Sequence, residues 1–302
     1  MAAVQEGSAL RPLGVGDIVD RVFGMYRQRP LMFVAIAAIP YLLLVLLIGI
    51  LAATFAAGAV IALAPYLSGN IDPDRLDPAR LLPVLGPLVA FVAIVAVAAI
   101  GVSLVQSASL IAAMSARYMG NDTTVGDALR AGLRRSLDLF GMGLIAFVIF
   151  IVMWVLLIVA MVVLREWWAV VIGASAGLVA TFYLTNSWMV SPAVVTLEGA
   201  GPIHALRRAW QLSEGNRWRI FGLWVLLLIL QVVLSSLLSF VLLASFATDE
   251  LVQVILNQTV NLVATIAWAP VYWGTFAVLY YDLRVRREAF DLQLAAEQLP
   301  RA

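Results

Sequence analysis

The chain has 302 residues, of which 63% are hydrophobic and 12% charged, with a formal net charge of +1. A soluble domain of this size carries about 45–50% apolar and about 25% charged residues, so that class is excluded. There is no cysteine, which removes disulfides, thiolate catalysis and cysteine-ligated zinc from consideration.

In chain order, the first segment, "MAAVQEGSALRPLGVGD", lacks a basic start followed by an apolar core, so no cleaved signal is expected. It leads into "VGDIVDRVFGMYRQRP", which reads as a helix with two faces. Ile18, Val19, Val22, Phe23 and Tyr26 oppose Asp17, Asp20, Arg21 and Arg27. Six windows free of Asp, Glu, Lys and Arg follow, at 30–71, 81–116, 139–164, 167–197, 220–248 and 251–281. Each exceeds the roughly 20 apolar residues that a bilayer span needs. The first, interrupted by Pro40 and Pro65, is read as one span with extra length taken up by tilt or by a segment at the outer surface.

The connections carry the orientation. Segments 1–30, 117–140, 191–219 and 283–302 hold sixteen of the nineteen arginines, against Arg75, Arg80 and Arg165 on the other side. Short basic loops stay in the cytoplasm, so both termini are expected there, in a bacterial cytoplasmic membrane. Asp72, Asp74 and Asp77 in "DPDRLDP" lack the ligand pattern of a calcium loop and read as a solvated turn.

Before the third and fifth spans lie "VGDALRAGLRRSLDLF" and "IHALRRAWQLSEGNRW". Ala128, Leu129, Leu133 and Leu137 share one face of the first of these. Ile203, Leu206, Ala209 and Trp210 do so in the second. Thr124 three residues before Asp127, Pro202 at a start and Gly215 near an end are matching boundary signals. The plan is therefore three units, each an amphipathic helix in the membrane plane plus a helical hairpin, at about 14–117, 123–197 and 201–282, with a helical tail at 283–302. The three returning spans are expected to form the inner layer.

Chemistry is sparse. His204 has no second histidine near it and no metal-ligand spacing, so no metal and no cofactor are expected. No catalytic constellation is found, which argues against an enzyme. Acidic residues accompany the arginines in every unit, which argues against nucleic acid. Instead Arg21, Arg130, Arg134, Arg207 and Arg208 are candidate contacts to anionic lipid headgroups. Within the spans the polar groups are neutral. Ser103, Gln106, Thr181, Thr185, Gln231, Asn257, Asn261 and Thr265 are the candidate polar lining of the bundle, either paired between helices or facing a solute. "GASAG" at 173–177 reads as close helix packing.

Three segments, "RPLGVGDIVDRVFGMYRQRP", "SPAVVTLEGAGPIHALRRAWQLSEGNRWRIFG" and "LYYDLRVRREAFDL", resemble a bacterial family of six-span membrane proteins often labelled glycerophosphoryl diester phosphodiesterase membrane domain. The resemblance implies the membrane fold. It implies no catalytic residue here, because the hydrolytic chemistry of such proteins belongs to a separate soluble barrel that nothing in this chain resembles. The expected class is an all-α integral membrane protein of six spans. The first functional expectation is a non-enzymatic component that organises lipids or protein partners, including copies of itself. The alternative is a transporter or pore for a neutral or lipidic solute.

Overall fold

The computed structural model describes residues 12–67, 78–243 and 250–297, and among them every regular element is a helix. In order these are α1 (Val15–Gln28), α2 (Pro30–Leu67), α3 (Pro78–Tyr118), α4 (Val125–Leu164), α5 (Trp167–Trp188), α6 (Ser191–Glu198), α7 (Pro202–Ser213), α8 (Arg217–Leu243), α9 (Glu250–Glu288) and α10 (Phe290–Glu297). Six stretches are long and apolar enough to cross a membrane: Pro30–Gly58, Gly86–Tyr118, Val125–Leu164, Trp167–Glu198, Arg217–Phe240 and Val252–Glu288. Helix is what hydrocarbon allows, because each backbone N–H and C=O finds its partner within its own segment.

The breaks have local causes. Pro30 opens α2, and the residue before a proline is driven from helical geometry, as Arg29 is at φ −140°. Thr124 caps α4 by accepting from the Asp127 amide at 3.2 Å. Gly215, at φ +77°, supplies the left-handed turn between α7 and α8. No such breaker lies between Asp127 and Leu164, and α4 runs through both the amphipathic stretch and the span. The amphipathic segment expected before the third span is thus not a separate helix. Its Leu133 and Leu137 point outward, 61% and 81% exposed, while Ala128, Gly132, Leu139 and Met142 are buried.

The core lies at the arginine-rich end, around the second half of α9. Val271, Phe276, Ala277, Val278, Leu279, Tyr280 and Leu283 are all buried there, against α1, the end of α3, α6, α7 and the start of α8. Ile18 and Val22 of α1 are fully buried, as are Ala205 and Ala209 of α7. Their apolar stripes therefore face protein, which corrects the expectation that they lie in the headgroup boundary. Only Ile203 of the α7 stripe is left exposed. Of the three returning spans, the second half of α9 and the end of α3 are interior. On α5 only Ala169, Gly177, Asn186 and Ser187 are buried.

Away from that end the helices carry large exposed apolar residues, including Leu46, Val92, Phe147, Leu156, Val171 and Val233. Soluble monomers rarely expose continuous apolar surface on this scale, whereas lipid tails cover it. Small residues bring the helices together. A Cβ at Gly132 would lie 2.5 Å from the Val105 carbonyl oxygen of α3, and one at Gly177 would lie 2.9 Å from the Trp154 ring of α4.

Candidate functional site

Two polar centres stand out, one ionic and one neutral. The ionic centre closes the arginine-rich end. Asp282, 1% exposed, accepts from the Leu13 amide at 2.7 Å and pairs with Arg219 and with Arg286, the latter at 3.1 Å. Arg219 and Arg286 also donate to the Leu13 carbonyl, so one carboxylate ties the start of the described chain to α8 and α9. Beside it, Arg208 bridges Glu198 and Glu288, and Arg284 pairs with Glu288 at 3.1 Å. Burial by itself lowers the Arg208 pKa, but hydrogen bonds and charge from Glu288 and Glu198 outweigh it and hold the guanidinium above its ordinary value. Arg208, a headgroup candidate from the sequence, is thus held by two carboxylates.

The other arginine candidates divide. Arg21 lies over the Tyr118 ring at 5.3 Å, and Arg130 is 3.6 Å from Asp127. Arg134 and Arg207 are exposed, with no ion-pair partner among the described residues. The aspartates of "DPDRLDP" and the side chain of Arg80 lie outside the described residues.

The neutral centre is a cavity of about 370 Å³ between α2, α3, α8 and α9. Both prolines that interrupt described spans away from their ends flank it: Pro40 beside Tyr41 on α2, and Pro270 beside Ala269 on α9. Pro40 has no N–H to offer the preceding turn. The Gln106 amide of α3 donates across to the Ala37 carbonyl in that turn, at 3.0 Å. Neighbouring helices commonly satisfy backbone near a membrane proline in this way. Gln231 of α8 and Thr265 of α9 complete the amide and hydroxyl lining, and Trp224, Trp268, Tyr272 and Trp273 supply aromatic walls. The Trp268 indole N–H is buried and has no hydrogen-bond partner among the described residues. Gln231 is exposed at the same opening, and its amide has no hydrogen-bond partner among the described residues.

Gln231 stands fourteen residues beyond Arg217, about 21 Å along the helix, well inside the apolar stretch Arg217–Phe240. From Leu228 and Gln231 a second hollow of about 550 Å³ follows α8 past Ser235, Ser236 and Ser239. The lining is uncharged. It offers amide, hydroxyl and indole groups to one end of a guest and aromatic faces to its body.

Of the eight expected lining residues, the fold brings Gln106, Gln231 and Thr265 together. Ser103 donates to its own helix at Ile100, and Thr181 accepts from Trp154 Nε1 at 3.1 Å, joining α4 to α5. Asn261 donates to the Asn257 carbonyl and Thr265 to the Asn261 carbonyl, and Thr185 is exposed away from the cavity. The aromatic wall escapes sequence reasoning. Its signal was present as "WAPVYW", residues 268–273, a proline set among aromatics inside a span.

Helices throughout the described residues, six of them able to span a membrane, fit the class of multi-pass helical membrane proteins. Comparison of the chain with protein-family models, curated proteins and solved structures finds no match in any of the three.

Proposed function

We propose that this protein binds a neutral amphipathic molecule, of lipid class, in the cavity between α2, α3, α8 and α9 and handles it within the membrane. The observation that supports the reading is the buried Trp268 N–H without a partner among the described residues, on a wall shared with Gln106 and Gln231. Leaving such a group unsatisfied costs about 1–3 kcal/mol, and a guest's hydroxyl or carbonyl removes that cost. The volume suits a small ligand or the polar end of a larger one. The serines along α8 give the rest of a lipid a path outward. The reading takes the chain as a six-span component of a bacterial cytoplasmic membrane, built on three units, with its arginine-rich end in the cytoplasm. It assigns no catalytic residue. A second reading, an organiser of lipids or protein partners, is favoured by the exposed Arg134 and Arg207, which have no ion-pair partner among the described residues.

The test is mass spectrometry of small amphiphiles that copurify with the full chain in detergent, for the wild type, Trp268→Phe and Gln231→Leu. A neutral species enriched over bulk lipid in the wild type should fall about three- to tenfold in each variant, the cost of one hydrogen bond. An identical complement in all three would remove the cavity reading and leave the organiser.

A further inference from the structure

At the arginine-rich end a crevice of about 700 Å³ opens between α5 and α8, separate from the cavity described above. Its polar end holds Arg217, Asn186 and the Gly215 turn, and its apolar wall is Leu178, Val179 and Phe182. Asn186 to Leu178 is eight residues, about 12 Å of helix, so the lining passes from polar to apolar along the direction of the span. Trp218, 78% exposed, stands at the polar end beside Phe182.

Arg217 is fixed in place. Its Nε donates to the Ser187 hydroxyl at 2.8 Å, and its guanidinium lies over the Tyr183 ring at 4.2 Å and the Trp210 ring at 4.9 Å. No carboxylate pairs with it among the described residues, whereas Arg208, Arg219, Arg284, Arg286 and Arg287 at the same end are all paired. Its terminal nitrogens make no hydrogen bond there either. A half-buried cation held by aromatic faces and one hydroxyl, with its fork unused, is preorganised for a phosphate. Phosphate at that height, next to an apolar wall that runs into the bilayer, is the chemistry of a phospholipid.

We propose that the α5–α8 crevice is a binding site for one anionic phospholipid, with its phosphate on the Arg217 guanidinium and an acyl chain along Leu178, Val179 and Phe182. The site does not depend on the neutral cavity. Charge complementarity sets the headgroup and the apolar wall sets the tail. Unlike the exposed Arg134 and Arg207, Arg217 is held by Ser187 and two aromatic rings beside an apolar wall, which makes this position selective.

The test uses the full chain in nanodiscs made either of phosphatidylcholine alone or with added phosphatidylglycerol, with bound lipid counted by native mass spectrometry after release into detergent. Wild-type protein should retain one phosphatidylglycerol, and Arg217→Gln should hold it about tenfold more weakly, as loss of a charge-assisted contact predicts. Val179→Trp fills the apolar half without touching Arg217, and the residue is exposed, so the fold has room for it. It should weaken the same lipid. Arg27→Gln, exposed, outside the crevice and not among the headgroup candidates, should leave retention unchanged. Equal retention by wild type and Val179→Trp overturns the proposal even if Arg217→Gln fails to fold. Displacement of the lipid by millimolar inorganic phosphate with no acyl dependence would assign the site to free phosphate and overturn it too. Loss of the neutral amphiphile in Trp268→Phe with phosphatidylglycerol still bound would keep the two sites distinct.

Discussion

Asp282 is the residue on which the arginine-rich end converges. Its carboxylate is buried and takes the Leu13 amide, Arg219 and Arg286 together. Removing one member of a buried charge group leaves the others unpaired, which costs about 3–5 kcal/mol. Asp282→Asn is therefore expected to lower the unfolding midpoint of the detergent-solubilised protein sharply. Arg219→Gln or Arg286→Gln alone should cost less, because each leaves one arginine on the carboxylate. A variant as stable as wild type would show that the group adds nothing. Gln106 plays a smaller part, since its amide occupies the Ala37 carbonyl in the turn before Pro40. Gln106→Leu should cost about 0.5–1.5 kcal/mol, the net worth of one hydrogen bond. Combining it with Pro40→Ala should not offset that loss in the same denaturation assay, because the N–H it restores reaches the Ile36 carbonyl, four residues back, and not Ala37. Gln106 was legible in the sequence as a polar residue at depth. Asp282 was not, because it sits one residue outside an uncharged window and its burial depends on α1 and α8 folding over it.

At the scale of helices, the question is what an apolar stripe touches. In α1 and in α4 the sequence periodicity predicts the same thing, a helix lying in the membrane surface. The structure separates them. Pro30 ends α1 and lets it turn to place Ile18 and Val22 on α9, whereas α4 has no break and carries Leu133 and Leu137 outward. Hydrophobic periodicity marks a face but not its neighbour, because burial against protein and burial in lipid tails are nearly equivalent for a leucine. Between α3 and α4 the decisive position is Gly132, where any Cβ meets both the Val105 carbonyl and Ser109 Oγ. Gly132→Val forces the two helices apart and should destabilise by about 1–3 kcal/mol, the usual range for overpacking. The same change at Gly143, which has open space around it, should be far milder when the two are compared by thermal unfolding.

For the molecule as a whole, the tail bears on how the end is closed. Sequence suggests a tail helix continuing the sixth span, with Arg284 and Arg287 facing Glu288 and Asp291. The structure continues α9 to Glu288, turns at Ala289 (φ +50°) and starts α10. Phe290 then stacks on Tyr281 at 6.0 Å and lies beneath Arg284 at 3.9 Å. Arg284 meets Glu288 as expected, but Arg287 reaches across to Glu214 at 2.7 Å. Glu288 is also where Arg208 from α7 arrives, so α7, α9 and the tail share one ionic joint. A double-mutant cycle on Arg208→Gln and Glu288→Gln should give a coupling of about 0.5–3 kcal/mol, with Glu198 retaining part of the Arg208 pairing. Because the Arg208 pKa is raised in the folded chain, its contribution is fully present below the ordinary arginine pKa and is lost only as pH rises through the raised value. Additive losses in the cycle would disconnect α7 from the tail.

The sequence by itself determined the class, the six apolar helices and several of their ends. Length, charge-free windows, prolines and caps act locally, and hydrocarbon leaves a spanning backbone little choice but helix. Only the tertiary structure decided which stripes meet protein, which arginines are taken by carboxylates, and which three of eight polar candidates share a cavity. Those outcomes depend on residues far apart in the chain, such as Leu13 with Asp282 and Gln106 with Gln231. A periodic pattern on one helix carries no information about its partner across the bundle.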